Sequence, residues 1–209
     1  VLTFSSICSI SLSQNIAFEH LNVKNGLPNS TITEVYQDND GFMWLGTYAG
    51  LYRWDGYMFT SFVHQINDTS SINDNIISCI EQVRPGLLII GFYNRGLGVF
   101  NTHTGKNKRF FHDLKNKNSL ANNFVSCVYV DSKKRIWIGT RQGLCLFDID
   151  KYTFETFYPI GRMAVDNSNL VSSISEDNQG RLWLYCLGTS VKIFDPKTRA
   201  KTLPLSEAE

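Results

Sequence analysis

Short runs of β-branched and aromatic residues recur along the chain, and Gly, Asn or Asp stands at their ends. Ile32–Gln37 and Val125–Val130 are two such runs. Hydrophobic periodicity alone does not separate a buried strand from a buried helix, but short length and flanking glycines favour strands. The pattern therefore predicts many short strands joined by tight turns.

These runs belong to a unit that occurs four times. Two positions of the unit align in all four copies. The first, at the start of the first strand, is occupied by Ile32, Ile77, Val125 and Val171. The second, in the second strand, is occupied by Gly46, Gly91, Gly139 and Tyr185. Both sets are spaced by 45, 48 and 46 residues. A period of this size with four short strands per unit is typical of a propeller blade.

The repeat predicts an all-β fold, a β-propeller of about four four-stranded antiparallel blades. We name the strands of each blade A, B, C and D in chain order. The predicted A strands are residues 32–37, 77–82, 125–130 and 171–176. The predicted blades are residues 25–63, 72–111, 120–158 and 167–203, within a propeller region of residues 16–203.

The two ends of the chain receive separate assignments. Residues 16–24 resemble a D strand that would close a ring, and residues 204–209 form a tail or truncation point. Residues 1–15 carry no charge and resemble a secretory signal without its basic start, although a disordered leader or a misplaced start codon would look similar. Four blades can close into a ring, but no last blade is present to receive the closing strand, and open edges are costly. We therefore expect the chain to be the front of a longer protein.

Two residue types recur inside the unit and predict structural roles. An Asp follows the A strand and a Trp lies in the B strand of three units: Asp38, Asp131 and Asp177, and Trp44, Trp137 and Trp183. An Asp side chain can bond the backbone two residues on, which suits a tight turn. We expect Trp137 to be buried between neighbouring blades, outside any ligand site.

The composition is that of a globular protein, with 43% hydrophobic and 19% charged residues. Asn occurs 18 times and Ala only 6 times, which favours strands and turns over a helical bundle. The 20 basic and 19 acidic residues give a net charge of +1, so no direct nucleic-acid binding is expected. No apolar run reaches the roughly 20 residues of a membrane-spanning helix.

The cysteines do not indicate a metal site. The chain has 5 cysteines, with no C-x-x-C pair and no His at ligand spacing. Cys79, Cys127 and Cys145 lie inside strand-like runs, so we expect them to be small buried hydrophobic residues. The sequence predicts no metal and no cofactor.

Three segments of the first unit resemble a known repeat: Asn25–Ser30 (NGLPNS), Asp40–Thr47 (DGFMWLGT) and Gly50–Gly56 (GLYRWDG). It is the propeller repeat of hybrid two-component regulators in glycan-degrading gut bacteria, and the resemblance covers residues 16–203. The second unit departs from the repeat at Val83 and Ile89, which replace the Asp and the Trp. The fourth unit departs at Tyr185, which replaces the Gly after the Trp.

The resemblance implies the periplasmic sensor region of a hybrid histidine kinase and response regulator that controls glycan utilisation. Such proteins carry two seven-bladed propellers, a membrane span and a histidine kinase. The chain would then be an incomplete part of the first seven-bladed propeller, in a protein anchored in the inner membrane. The implied partners are an oligosaccharide and the remaining blades or the second propeller, and a homodimer is a further option.

No catalytic arrangement stands out, and we predict that the chain is not an enzyme. Any histidine kinase activity would lie in other parts of the protein. The four histidines fall in different loop or edge-strand contexts without a matched partner: His20, His64, His103 and His112. A glycan lyase or hydrolase propeller would need a carboxylate pair or a His–Tyr set, and neither is visible.

The residues that do not recur are the candidates for binding. In a propeller the B–C turns share one face with the D–A loops that join successive blades. Aromatic faces stack on the C–H groups of sugars, and forked donors bond hydroxyl groups. The sequence therefore predicts oligosaccharide-binding residues in the B–C turns: Tyr48, Tyr93, Asn94, Arg95, Arg141 and Gln142. Plain variation of an exposed surface, or a protein-interaction scaffold without a small-molecule ligand, would give the same pattern.

Overall fold

The computed structural model describes residues 21–27, 29–159, 161, 169–187, 190–199 and 201–202. These residues form one short 3-10 helix and strands β1 to β16. The strands make four antiparallel sheets of four strands each, and within every sheet they follow one another in chain order. The predicted all-β fold of four four-stranded blades is confirmed.

The strand bounds are as follows. Blade 1 contains β1 Ile32–Gln37, β2 Met43–Thr47, β3 Leu51–Trp54 and β4 Phe59–Phe62. Blade 2 contains β5 Ile77–Arg84, β6 Leu87–Phe92, β7 Leu97–Asn101 and β8 Asn107–Phe110. Blade 3 contains β9 Val125–Val130, β10 Ile136–Thr140, β11 Gly143–Asp148 and β12 Thr153–Phe157. Blade 4 contains β13 Val171–Glu176, β14 Leu182–Cys186, β15 Ser190–Phe194 and β16 Lys201–Thr202.

The A strands lie where the repeat predicts them. β1, β9 and β13 have the predicted limits, and β5 continues to Arg84. The register of the A–B pairing shifts near the start of all four A strands. An extra residue at such a bulge bends the strand and turns one side chain away from the regular alternation.

The predicted end segments are only partly described. Residues 1–15, residues 16–20 of the predicted closing strand and residues 204–209 lie outside the described residues. Val23–Asn25 form the short 3-10 helix, at the end of the predicted closing strand of residues 16–24. The side chain of Asn22 accepts a hydrogen bond from the Lys24 amide, and Gly26 ends the helix with a φ of 94°. These interactions favour a turn over extended backbone.

The blades pack side by side through their A strands. β5 contacts both β1 and β9, and β9 contacts β13. Among the described residues, no contact of similar extent joins β13 back to β1. The four blades therefore form an open arc, and the number of blades in a closed ring stays a prediction.

The hydrophobic core is divided among the three blade–blade interfaces. Trp44 meets Phe100 between blades 1 and 2, with ring centroids 5.7 Å apart. Ile89 is fully buried between blades 2 and 3. Trp137 meets Phe194 between blades 3 and 4, also at 5.7 Å. Trp137 is 1% exposed, which confirms that it is buried between neighbouring blades.

The recurring B-strand glycine lets the next blade approach closely. A Cβ atom on Gly91 would lie 2.8 Å from the Val125 side chain of blade 3. A Cβ atom on Gly139 would lie 2.5 Å from the Val171 carbonyl oxygen of blade 4. Both distances are shorter than real Cβ contacts, so the glycine is required by packing. Blade 4 carries Tyr185 at this position, and its side chain is 47% exposed.

The four described cysteines are free thiols. Cys79, Cys145 and Cys186 are buried, and Cys127 is partly buried. Burial raises the pKa of the Cys127 thiol to about 12 and that of Cys145 to about 11. Such thiols stay protonated at neutral pH and act as small hydrophobic residues, as the sequence predicts.

Candidate functional site

The B–C turns and the D–A loops share one face of the arc, which we call the upper face. The Tyr93 amide donates to the Ile76 carbonyl at 3.3 Å, and the Arg141 amide donates to the Phe124 carbonyl at 3.1 Å. Each bond joins the start of a B–C turn to the end of the D–A loop that enters the same blade. The first residue of each turn is therefore held next to the entry to its own A strand.

A threonine at the end of the B strand fixes the turn in blades 1 and 3. The Thr140 hydroxyl donates to the Gly143 carbonyl at 2.8 Å and accepts from the Gln142 amide at 3.2 Å. The Thr47 hydroxyl donates to the Gly50 carbonyl at 2.9 Å in the same way. Both threonines are fully buried, so the turn backbone is set by the blade while its outer side chains can vary.

Phe124, the residue before β9, brings two of the predicted binding residues together. The rings of Tyr93 and Phe124 meet at 75° with centroids 4.7 Å apart. The guanidinium carbon of Arg141 lies 4.6 Å from the centroid of the Phe124 ring. Tyr93 belongs to blade 2 and Arg141 to blade 3, so this group bridges two blades. We call Tyr93, Phe124 and Arg141 the aromatic stack.

The remaining residues of the blade 2 turn lie beside the aromatic stack. Asn94 and Arg95 are exposed. The Arg95 carbonyl accepts from the Asn73 side chain at 2.6 Å, and the Gly96 amide donates to the Asn123 carbonyl at 2.8 Å. The turn is thus tied to the loop that carries Phe124, and the Arg95 side chain projects from an anchored backbone.

Tyr48 and Gln142 lie on the same face but outside the aromatic stack. Tyr48 is 56% exposed and occupies the equivalent turn one blade away from Tyr93. Gln142 lines a cavity of about 550 Å³ together with Thr156 and Tyr158 of blade 3 and the loop of residues 112–121. Ligand sites in proteins usually measure about 300–1,000 Å³. The predicted residues therefore divide into an aromatic stack, a neighbouring cavity and one separate tyrosine.

Two histidines placed in different contexts by the sequence analysis are in fact equivalent. The ring Nδ1 of His64 donates to the Ile72 carbonyl at 2.9 Å, and that of His112 donates to the Leu120 carbonyl at 2.7 Å. Nδ1 must be the donor, because a carbonyl oxygen can only accept. The backbone amide of His112 also donates to the Asn123 side chain at 2.7 Å. These histidines fold the D–A loops, and their spacing of 48 residues was the signal that would have paired them.

The recurring Asp and Trp residues form a structural pair near the opposite face. The Trp137 indole donates to the Asp131 carboxylate at 2.8 Å, and the equivalent bonds of Trp44 and Trp183 measure 2.7 and 2.9 Å. Burial alone would raise the pKa of Asp131, but hydrogen bonds from Trp137 and Arg135 outweigh it and lower that pKa. The sequence predicted the turn role of these aspartates and missed their bond to the indole.

The described residues contain no helix long and apolar enough to cross a membrane. In the same part of the chain, no group of three or more His, Cys, Asp and Glu side chains is placed to hold a metal ion.

Comparison with known proteins supports the repeat. Residues 26–49 and 119–142 match the family described as two component regulator propeller. A histidine kinase P4 of Formosa agariphila is 31% identical over 97 residues, which are 45% of this chain and 7% of that protein. The resemblance of the repeat to two-component regulator propellers is confirmed.

Solved structures agree with the fold. The extracellular domain of the putative hybrid two component system BT3049 from B. thetaiotaomicron superposes with a TM-score of 0.78 at 22% identity. The match covers 88% of this chain and 26% of that one. The WD40 propeller domain of Doa1 gives a TM-score of 0.59 at 14% identity, over 82% of this chain and 53% of that one. At these identities the likeness shows the propeller fold alone.

Proposed function

We propose that this chain is the ligand-sensing part of a two-component sensor and that it binds an oligosaccharide without transforming it. The observation that carries the proposal is the aromatic stack, which joins residues of two blades on the face where the turns vary. The matches to two component regulator propeller repeats support the signalling context.

The chemistry of the upper face suits a sugar. Tyr93 and Tyr48 are 45% and 56% exposed, so each presents part of an aromatic ring to solvent. Aromatic surfaces pack against the apolar faces of sugar rings. Asn94, Gln142 and Arg95 supply amide and guanidinium groups that bond hydroxyls in fixed directions. The rigid turn backbone lowers the cost of ordering these side chains when a ligand binds.

Catalysis is not part of this proposal. The carboxylates that recur in the fold are occupied by indole and backbone donors in the A–B turns, as with Asp131. Histidine kinase activity, which the name of the curated relative includes, would lie in other parts of the protein. We propose no cofactor and no direct contact with nucleic acid, in keeping with the net charge of +1.

The proposed location is the periplasm, in a protein anchored in the inner membrane. The structure of BT3049 that shares this fold is that of an extracellular domain. Further blades or a second propeller would be the intramolecular partners of the arc. A second copy of the chain is a further candidate partner.

A panel of oligosaccharides tests the proposal on the full chain. A ligand that binds the folded state raises the melting temperature, and calorimetry then gives its affinity. Arg95→Ala combined with Arg141→Ala should weaken binding by about ten-fold or more per arginine, since a hydrogen bond to a charged donor contributes roughly 1.5–3 kcal/mol.

The matched control is Arg84→Ala combined with Arg199→Ala. Both control residues are exposed arginines in ion pairs with Asp150 and Glu155, away from the B–C turns. The control should bind as tightly as the wild type. If no oligosaccharide changes the melting temperature, the upper face is a protein-interaction surface or plain variable surface, and the sugar proposal is wrong.

A further inference from the structure

Arg141 is held in place by an aromatic ring rather than by a carboxylate. Its backbone amide is bonded to the Phe124 carbonyl at 3.1 Å, and its guanidinium lies over the ring of the same residue at 4.6 Å. Its Nε atom is buried and has no hydrogen-bond partner. Phe124 thus holds both the backbone and the guanidinium group of Arg141, while the charge has no acidic partner within ion-pair distance among the described residues.

Most other arginines of the arc are paired differently; Arg53 is the exception, because it stacks on the Phe42 ring and forms no ion pair among the described residues. Four of them form ion pairs at 2.6 to 2.9 Å: Arg84 with Asp150, Arg135 with Asp131, Arg181 with Asp177, and Arg199 with Glu155. Arg109 donates to the Asp68 and Ser71 carbonyls of a D–A loop. On the upper face, the side chains of Arg95 and Arg141 bond to no carboxylate in the described part of the chain. The aromatic stack and the turn beside it therefore carry two guanidinium groups that no ion pair neutralises among the described residues.

We propose that the oligosaccharide bound at the upper face carries an oxyanion, a carboxylate or a sulfate, and that Arg141 on Phe124 binds it. This inference rests on the proposed function. A guanidinium is weakly hydrated, always charged and shaped to bind two oxygens of one oxyanion. Stacking on Phe124 orients it before the ligand arrives, which reduces the entropy lost on binding.

Arg95 supports the same charge from the neighbouring turn. The Gly96 amide, next to Arg95, is bonded to the Asn123 carbonyl, next to Phe124, at 2.8 Å. The backbones that carry the two guanidinium groups are therefore both hydrogen-bonded to the segment Asn123–Phe124. A second positive charge on the same face would attract an anionic sugar and make its binding depend on salt.

The test uses pairs of oligosaccharides that differ only in the oxyanion. One pair is an oligogalacturonate and its carboxyl-reduced, neutral counterpart. The other is a κ-carrageenan oligosaccharide and its desulfated counterpart. At least one charged member should bind the full chain about ten-fold or more tightly than its neutral counterpart. The pair that shows the difference identifies carboxylate or sulfate as the group.

The variant Arg141→Gln should remove this preference, so that the charged and the neutral member of a pair bind with equal affinity. Phe124→Leu should reduce the preference, because leucine keeps the bulk but not the aromatic face. The matched control is Arg53→Gln. Arg53 also stacks on a ring, that of Phe42 at 4.7 Å, and also has a buried and unbonded Nε, but it lies in β3 away from the B–C turns. Melting temperatures of the free variants show that they remain folded.

The outcomes separate the two proposals. Equal affinity for charged and neutral members, or an unchanged preference in Arg141→Gln, would overturn the oxyanion site and leave sugar binding intact. Loss of the preference in Arg53→Gln as well would mean that the effect is structural and would also overturn it. If no member of either pair binds but a neutral oligosaccharide of the panel does, the oxyanion site fails and the proposed function stands. If no oligosaccharide binds at all, both fail.

Discussion

At the level of single residues, the Asp–Trp pair explains a double departure from the repeat. Blade 2 has Val83 in place of the Asp and Ile89 in place of the Trp. In the other blades the indole donates to the carboxylate at 2.7 to 2.9 Å. Leaving a buried indole without its acceptor, or a buried carboxylate without its donor, costs more free energy than the hydrogen bond contributed. Losing both together avoids that cost, so the two substitutions in blade 2 have one physical cause.

Copying blade 2 into blade 3 tests this explanation. Trp137→Ala alone should lower the free energy of unfolding by roughly 3–5 kcal/mol, because it removes the side chain that fills the interface between blades 3 and 4. Denaturant titration measures this loss.

A double-mutant cycle then tests whether the pair acts together, with the variants Asp131→Val, Trp137→Ile and the two combined. The stability lost by the double variant should be smaller than the sum of the two single losses by roughly 0.5–3 kcal/mol. Denaturant titration measures all three. Strict additivity would show that the two residues act independently.

The same carboxylate predicts a loss of stability in acid. The pKa of Asp131 is held below its ordinary value of 3.8, because hydrogen bonds from Trp137 and Arg135 outweigh the effect of burial. A carboxyl group whose pKa is lower in the folded state than in the unfolded state stabilises the fold at any pH above its unfolded-state pKa. This stabilisation is lost as the pH falls through the folded-state pKa. The free energy of unfolding should therefore decrease as the pH falls below about 4.

The variant Asp131→Asn isolates this contribution. It should be less stable than the wild type at pH 7, and the difference should shrink as the pH falls below 3.8, the ordinary pKa of the carboxyl group. Urea titrations at several pH values give both curves. A difference that stays constant from neutral to acidic pH would mean that the carboxylate charge contributes nothing.

At the level of strands and loops, the sequence predicts the blades far better than the upper face. The 45, 48 and 46 residue spacings located all four A strands, because each A strand has the pattern of a short β-branched run bounded by turn residues. Phe124 was missed because it lies just before a strand, in a loop with no such pattern, and its partners Tyr93 and Arg141 belong to two different blades. Contacts between units are set by packing and cannot be seen from the repeat alone.

The B-strand glycine gives a prediction for the packing of one blade against the next. Gly139→Ala should destabilise the protein by roughly 1–3 kcal/mol, since the new Cβ atom would lie 2.5 Å from the Val171 carbonyl oxygen. The matched variant is Tyr185→Ala at the same position of blade 4, where the side chain is 47% exposed. It should change stability by less than about 0.5 kcal/mol. Equal losses in the two variants would contradict a packing role for the glycine.

At the level of the whole molecule, the arc is a chain of neighbours. Its hydrophobic core consists of three separate clusters, one at each blade–blade interface. Within the described residues, ion pairs between blades also join adjacent blades only, as with Arg84 and Asp150, and Arg199 and Glu155. In such an arrangement stability is close to a sum over blades and neighbouring interfaces, and regions open separately.

Hydrogen exchange in two tryptophan variants tests this arrangement. Trp44 fills the interface of blades 1 and 2, and Trp137 fills that of blades 3 and 4. Trp137→Ala should speed exchange most in β13–β15, whereas Trp44→Ala should speed it most in β1–β4. Each variant thus serves as the control for the other, because both remove the same side chain from equivalent positions. If either variant raised exchange evenly across all blades, the arc would unfold as one cooperative unit and the nearest-neighbour description would be wrong.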